Sequence, residues 1–144
     1  MKPKLIILIA LLTVFSFTTK AQSLTFEQTV EYLKGFVKAN SIYAYVGIQR
    51  IVYLSEISVE KIGRVTMTGR DNTGSFNAFD VATATWSLYG RFSDKDNCLQ
   101  LLDKDKNIIA VFGYLTIKAD ADRFYRAIVY LKNVCTKSAD PFGN

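Results

Sequence analysis

The stretch DADRFYRAIVYLKNVCTK, residues 120–137, predicts the closing helix of the fold. Asp120 is expected to cap the start of this helix, and Asp122 is expected to pair with Arg126 on its outer side. A helix with one apolar face is stable only when that face is covered. Because the preceding segments are typical of strands, we expect a sheet to cover it. The apolar residues, which recur at three- and four-residue steps and so share one helix face, are Phe124, Ala127, Ile128, Leu131, Val134 and Cys135.

Residues 1–21 have the pattern of a secretory signal peptide. Two lysines within the first four residues precede an apolar run over residues 5–17, and small residues suit a cut after Ala21, with Ser23 as a second possible cut. The run is shorter than the span of about 20 residues that crosses a bilayer comfortably. We therefore expect removal rather than an uncleaved anchor. The mature chain, residues 22–144, is expected to be periplasmic or secreted, with no stable membrane anchor.

The net charge argues against a nucleic-acid partner. The full chain carries 18 basic and 13 acidic residues, a formal net charge of +5. Three of the basic residues lie in the predicted signal peptide, so 15 basic and 13 acidic residues remain and the net charge falls to +2. The remaining basic residues are scattered along the chain. A nucleic-acid binder needs them concentrated on one face.

Cys98 and Cys135 are the only two cysteines. Export permits a disulfide, and an even count of two makes its pairing unique. Such a bond would fasten the last helix to a strand that begins at Cys98. In the loop-entropy model it would stabilise the fold by about 3–4 kcal/mol. The alternative interpretation is two buried thiols.

The segments between the two ends of the chain are typical of strands. An earlier helix is predicted over residues 24–39, where Thr25 and Gln28 have the spacing of a capping box. We expect a break near Gly47, although a helical reading of part of residues 41–54 stays open, and a bend that turns Asp80 outward. The pattern predicts a single α+β domain over residues 22–144: an antiparallel sheet of about five or six strands packed by an N-terminal and a C-terminal helix. The strand-like runs are 41–54, 59–70, 76–88, 98–102 and 108–117.

Short stretches near both ends of the chain carry a resemblance. They are Lys20-Ala21-Gln22 at the end of the leader, ADADRF at 119–124, LKNVC at 131–135 and DPF at 140–142. In these stretches the chain resembles small exported proteins of unknown function from Bacteroidota. The resemblance implies export, and it carries over no catalytic residue.

The chain contains no histidine, which makes most enzyme chemistry improbable. Histidine is the usual general base near neutral pH and the commonest zinc ligand. Asp103, Asp105 and Asn107 match the first half of a calcium loop, but Ile108 and Tyr114 stand where that loop needs Gly and a bidentate Glu. A charged hairpin tip accounts better for these residues. We predict no catalytic residue, no cofactor and no metal site.

Aromatic residues are the remaining candidates for a binding site. Three tyrosines alternate along the strand-like run 41–54 on the face that carries fewer aliphatic residues. A second group, of two aromatic residues and an arginine, follows later in the chain. Such surfaces bind proteins, sugars or apolar ligands, with Arg as a frequent companion. The alternative is that these rings cover the sheet beneath the helices. The candidate binding residues are Tyr43, Tyr45, Tyr53, Trp86, Tyr89 and Arg91.

Three functions are compatible with this sequence. The first is an exported, non-catalytic binding protein that recognises another protein, of the inhibitor or immunity type, and it predicts an exposed aromatic patch with a basic rim. The second is a carrier of a lipid-like or other apolar small molecule, which predicts an enclosed pocket between the sheet and a helix. The third is a histidine-free hydrolase, which predicts two carboxylates facing each other across a cleft. We favour the first.

Overall fold

The computed structural model describes residues 23–47, 49–51, 53–88, 97–113, 115 and 117–137. Helices stand at the two ends of this part of the chain, and antiparallel strands lie between them. The predicted α+β class with an N-terminal and a C-terminal helix is therefore confirmed. The elements are α1 (Phe26–Ala39), β1 (Tyr43–Val46), β2 (Gln49–Ile51), β3 (Glu56–Val59), β4 (Arg64–Thr68), β5 (Thr73–Asn77), a short 3-10 helix (Ala78–Asp80), β6 (Thr83–Leu88), β7 (Asn97–Leu102), β8 (Ile108–Gly113) and α2 (Lys118–Val134).

The strands form two sheets where the sequence predicts one sheet of five or six strands. The larger sheet has the order β2-β1-β8-β7-β6 and the smaller has the order β3-β4-β5. Every pairing between the described strands is antiparallel. β5 contacts both β1 and β2, which brings the two sheets together.

Tight turns explain why there are more strands than predicted. The expected break at Gly47 is confirmed, because this residue has a φ of 56° between β1 and β2. The predicted run 59–70 holds the last residue of β3, a turn and β4, and Gly63 in this turn adopts a φ of 84° that residues with a side chain rarely take. The run 76–88 is divided by the 3-10 helix, where the side chain of Asn77 accepts a hydrogen bond from the amide of Phe79 at 3.0 Å. Asp80 is exposed in this 3-10 helix, as the predicted bend requires.

The apolar face predicted for α2 packs against the core, with Ala127, Val134 and Cys135 partly buried. α2 buries Phe124, Ile128 and Leu131 completely. The ring of Phe124 stacks on Phe36 of α1 at a centroid distance of 4.9 Å and meets the edge of Phe112 of β8, also at 4.9 Å. This ring therefore joins α1, α2 and the larger sheet in one core, which side chains of the smaller sheet complete: Ile57, Val65, Met67 and Phe76.

The helix ends confirm one predicted cap and correct another. Thr25 and Gln28 form the capping box at the start of α1: the Thr25 hydroxyl accepts from the Gln28 amide at 3.2 Å, and the Gln28 side chain accepts from the Thr25 amide at 2.9 Å. α2, in contrast, begins at Lys118, so Asp120 lies in its first turn and is not its cap.

The predicted pair of Asp122 with Arg126 is also corrected. Lys118 lies one turn before Asp122, and its Nζ binds the Asp122 carboxylate at 2.9 Å. The Nε of Arg126 donates instead to the Asp122 backbone oxygen at 3.2 Å.

No disulfide joins Cys98 and Cys135, so the predicted bond is wrong. The reason lies in strand parity, because Leu99 and Leu101 of β7 face the core and Cys98 therefore points to the opposite face of the sheet. There it is buried beside Tyr45 and Val111. Cys135 ends α2 on the core side, where burial raises the pKa of its thiol.

Within the described ranges, no helix is long and apolar enough to cross a membrane. Residues 1–22, which include the predicted signal peptide and its cleavage point after Ala21, lie outside those ranges. Removal of the leader therefore stays a prediction.

Candidate functional site

Two of the predicted binding residues, Tyr43 and Tyr53, lie side by side. Their ring centroids are 4.8 Å apart with planes inclined at 50°. Tyr53 is 55% exposed and has a φ of 52°, a left-handed conformation that bulky residues seldom adopt. Of the predicted tyrosine stripe, Tyr53 is therefore exposed and Tyr43 beside it is half-buried.

The other described candidates are not part of an exposed patch. Tyr45 is only 7% exposed and packs with Cys98 and Val111. Trp86 lies opposite Leu99 in the register of β6 and β7 and packs against the main core. This agrees with the alternative interpretation, in which the aromatic rings cover the sheet. Tyr89 and Arg91 lie outside the described residues.

An open groove lies between the two helices. One part of it has a volume of about 580 Å³ and is lined by Leu24, Thr29, Tyr32, Arg123, Arg126, Ala127 and Tyr130. A second part of about 410 Å³ also has Tyr32 and Arg123 in its wall and continues along α1 past Gly35 to Ala39 and Asn40. Because the two parts share wall residues, we treat them as one surface, the interhelical groove.

The helices that form the groove are antiparallel. Near the start of α1, the hydroxyl of Tyr130 donates to the backbone oxygen of Leu24 at 3.0 Å. Near the end of α1, Asn40 lines the same part of the groove as Asp120, from the first turn of α2. The stacked rings of Phe36 and Phe124 lie between these two ends.

Small residues keep the groove open. Gly35, Ala39 and Ala127 line it and present at most a methyl group. A Cβ built on Gly35 would meet no heavy atom within 4 Å. The space beside Gly35 can therefore receive a side chain from another molecule.

The charged residues of the groove give it a basic rim. Arg123 makes an exposed ion pair with Asp120 at 3.7 Å. Arg126 donates only to a backbone oxygen, and no carboxylate of the described residues lies within 4.0 Å of its guanidinium. Since none of the α1 residues in the lining is charged, these three side chains give the groove a net charge of about +1.

Sequence reasoning missed the groove residues. Tyr32 and Tyr130 lie beside the apolar stripes of their helices, where tyrosine also occurs as ordinary partly covered surface. The available signal was their spacing: Arg123, Ala127 and Tyr130 recur at four- and three-residue steps, which is one helix face next to the buried one.

The charged hairpin tip at residues 103–107 stabilises its own turn. One carboxylate oxygen of Asp103 accepts from the amides of Asp105 and Asn107, both at 2.8 Å, and the other accepts from the Asn107 side chain at 3.0 Å. These hydrogen bonds, chiefly those from Asn107, lower the pKa of Asp103. No cluster of metal-binding side chains occurs in the part of the chain that the structure describes.

Three described carboxylates, those of Asp80, Asp103 and Asp105, line an open cleft of about 440 Å³ together with Lys104 and Lys132. Every Asp and Glu in the described ranges is exposed or half-exposed. The carboxylates with described ion-pair partners lie on helix or hairpin surfaces, as with Glu27 and Lys61 at 3.8 Å and Glu60 and Arg64 at 3.7 Å.

The comparisons with known proteins give remote structural similarity. No family model matches the chain, and no curated protein matches it. A solved structure described as the PH domain from PfAPH is similar at a TM-score of 0.46 and 6% identity, covering 78% of this chain and 96% of that chain. The Vps36 N-terminal PH domain is similar at a TM-score of 0.41 and 20% identity, covering 66% of this chain and 76% of that chain. Similarity at this level leaves the function to be derived from the surface of this chain.

Proposed function

We propose that this chain is an exported, non-catalytic binding protein that recognises another protein through the interhelical groove. An inhibitor or an immunity-type partner acts in this way. The observation that carries the proposal is the open groove itself, with tyrosines in both walls and arginines along one rim. Tyrosine and arginine are the side chains that most often dominate the energy of protein interfaces.

The two other candidate functions have less support. A carrier of an apolar molecule needs an enclosed space between the sheet and a helix. In this chain Phe112, Phe124 and Leu131 fill the space beneath α2 and are fully buried. A histidine-free hydrolase needs two carboxylates facing each other across a cleft. Asp80, Asp103 and Asp105 line one cleft, but both oxygens of Asp103 accept hydrogen bonds within its own turn.

Export is supported by the sequence pattern of residues 1–21 and by the resemblance to exported proteins. The test is the intact mass of protein recovered from the periplasm or the culture fluid. We expect the mass of residues 22–144 with two thiols. Recovery of the uncut chain in the membrane fraction would contradict export as a processed protein.

Partner binding is tested by affinity capture with a blocking variant and its matched control. Gly35→Leu places a side chain in the groove at a position where a Cβ meets nothing. Lys34→Leu places the same side chain about 100° further round the helix, on the exposed side.

We expect the same protein to co-purify with the unaltered chain and with Lys34→Leu, and to be lost with Gly35→Leu. Undiminished capture by a folded Gly35→Leu variant would contradict the groove as the binding surface. Failure of the unaltered chain to enrich any protein would contradict the binding function.

A further inference from the structure

The interhelical groove has the dimensions of a short extended peptide. It follows α1, whose 14 residues give a length of about 21 Å at 1.5 Å per residue. An extended chain covers about 3.3–3.6 Å per residue. The groove therefore matches a segment of about six residues.

The charges of the groove favour the binding of a peptide segment that carries a carboxylate. Arg126 has no carboxylate partner among the described residues, and it lies three positions after Arg123 on the same helix. The pair of Arg123 with Asp120 is long at 3.7 Å, with 68% of the Arg123 side chain and 30% of the Asp120 side chain accessible. Exposed pairs of this kind contribute little and exchange easily. Both guanidinium groups can therefore turn to a carboxylate on a ligand, which they bind in a bidentate manner.

The apolar part of the groove lining favours a ligand that has a large apolar or aromatic side chain next to that carboxylate. Leu24 is 50% exposed and Tyr32 is 40% exposed, both high for large apolar residues. Tyr130 lines the same part of the groove from α2, with its hydroxyl held by the Leu24 backbone oxygen, and the Tyr32 ring makes a tilted pair with Phe36 at 6.2 Å between centroids. An aromatic ring of a ligand can lie between these two tyrosines, since aromatic pairs attract each other beyond simple burial.

We infer that the interhelical groove binds a short extended segment of a partner protein in which a carboxylate side chain stands beside an aromatic one. This inference rests on the proposed function and names the chemistry of the partner. The carboxylate meets Arg126, and the aromatic ring lies between Tyr32 and Tyr130. With a net charge near +1 and only two arginines, the groove lacks the basic face that a nucleic-acid backbone requires.

The test uses three pools of fluorescent six-residue peptides, measured by anisotropy against the purified protein. One pool combines acidic and aromatic residues, the second combines basic and aromatic residues, and the third combines acidic residues with Gly and Ser. We expect the first pool to bind at least about tenfold more tightly than either of the others. Equal binding of the three pools, or no binding of the first, would overturn the inference.

Variants then place the interaction on named residues. Arg126→Gln should weaken binding of the first pool about tenfold or more, since hydrogen bonds to charged groups carry that much affinity. Arg70→Gln, an exposed arginine in the turn between β4 and β5, is the matched control and should bind unchanged. Equal effects of the two substitutions would overturn the role of Arg126.

The outcomes separate this inference from the proposed function. If Gly35→Leu abolishes capture of the native partner while the first pool shows no preference, the protein-binding function stands and the acidic–aromatic chemistry is wrong. If the first pool binds Gly35→Leu as well as it binds the unaltered chain, the peptide does not occupy the groove. Stronger binding of a single-stranded DNA oligonucleotide than of the first pool, lost in Gly35→Leu, would assign the groove to nucleic acid and would also overturn the inference.

Discussion

Replacement of Phe124 by Leu should lower the free energy of unfolding by about 1–3 kcal/mol. The Phe124 ring is fully buried and forms two ring pairs, one stacked with Phe36 and one edge-on with Phe112, each at 4.9 Å between centroids. Such pairs contribute about 0.5–1.5 kcal/mol each beyond area burial. Because a domain of this size is stable by about 5–15 kcal/mol, the variant should still fold.

Urea unfolding followed by the fluorescence of Trp86 measures this loss directly. Trp86 is the single tryptophan and packs against the core that Phe124 joins. A loss of about 2 kcal/mol moves the midpoint down by about 1 M if the slope is near 2 kcal/mol per molar urea. Asn133→Ala, at an exposed site on the same helix, is the control and should change stability by less than about 0.5 kcal/mol.

A double-mutant cycle refines the test. Phe36→Leu combined with Phe124→Leu should cost less than the two single changes together, by about 0.5–1.5 kcal/mol, because both single changes remove the same stacked pair. A Phe124→Leu variant that unfolds within 0.5 kcal/mol of the unaltered chain would refute the reasoning. In that case the ring could not be the point at which both helices and the sheet meet.

Four further changes test other contacts by urea unfolding. Leu131→Ala should cost about 2–5 kcal/mol, since its side chain is fully buried in the core; a cost under 0.5 kcal/mol would mean that α2 faces the other way. Thr25→Ala should cost about 0.5–2 kcal/mol through loss of the cap, and Thr25→Ser should restore most of it. Gly35→Ala should stabilise α1 by about 0.5–1 kcal/mol, because the added methyl group meets nothing, and destabilisation would show that the space is filled. Because the pKa of Asp103 is lowered, its contribution to the free energy of unfolding is complete above the ordinary pKa of 3.8 and is lost as the pH falls through the folded-state pKa. Asp103→Ala should therefore flatten the pH dependence of the urea midpoint below pH 3.8, and an unchanged pH dependence would count against this role of Asp103.

The helices could be predicted because their signals are local. The capping box at Thr25 and Gln28 and the apolar spacing of Phe124, Ile128 and Leu131 depend on residues within two turns of each other. The start of α2 differs from the prediction because Asp120, a good capping residue, lies after Lys118, which already belongs to the helix. The pairing of Lys118 with Asp122 follows from that earlier start.

The division into two sheets and the fate of the cysteines could not be predicted in the same way. Alternation indicates that a run is a strand, but it does not identify the partner strand. The 3-10 helix at Ala78–Asp80 interrupts a run that alternates on both sides of it. The disulfide prediction for Cys98 uses export and the even cysteine count, and neither gives the direction of a side chain. The parity of Cys98, opposite to that of Leu99 and Leu101, places its thiol on the sheet face away from α2.

The interhelical groove depends on a relation between positions that are far apart in sequence. Leu24 and Tyr130 are 106 residues apart, and their contact fixes which faces of the two helices border each other. The apolar spacing within α1 places Tyr32 at the edge of the buried face. Only the antiparallel arrangement of α1 and α2 shows that Gly35 and Ala127 leave a space between the two helices. The groove therefore exists because Gly35 and Ala127 are small, and a small residue beside an apolar stripe does not by itself indicate a binding site in a sequence.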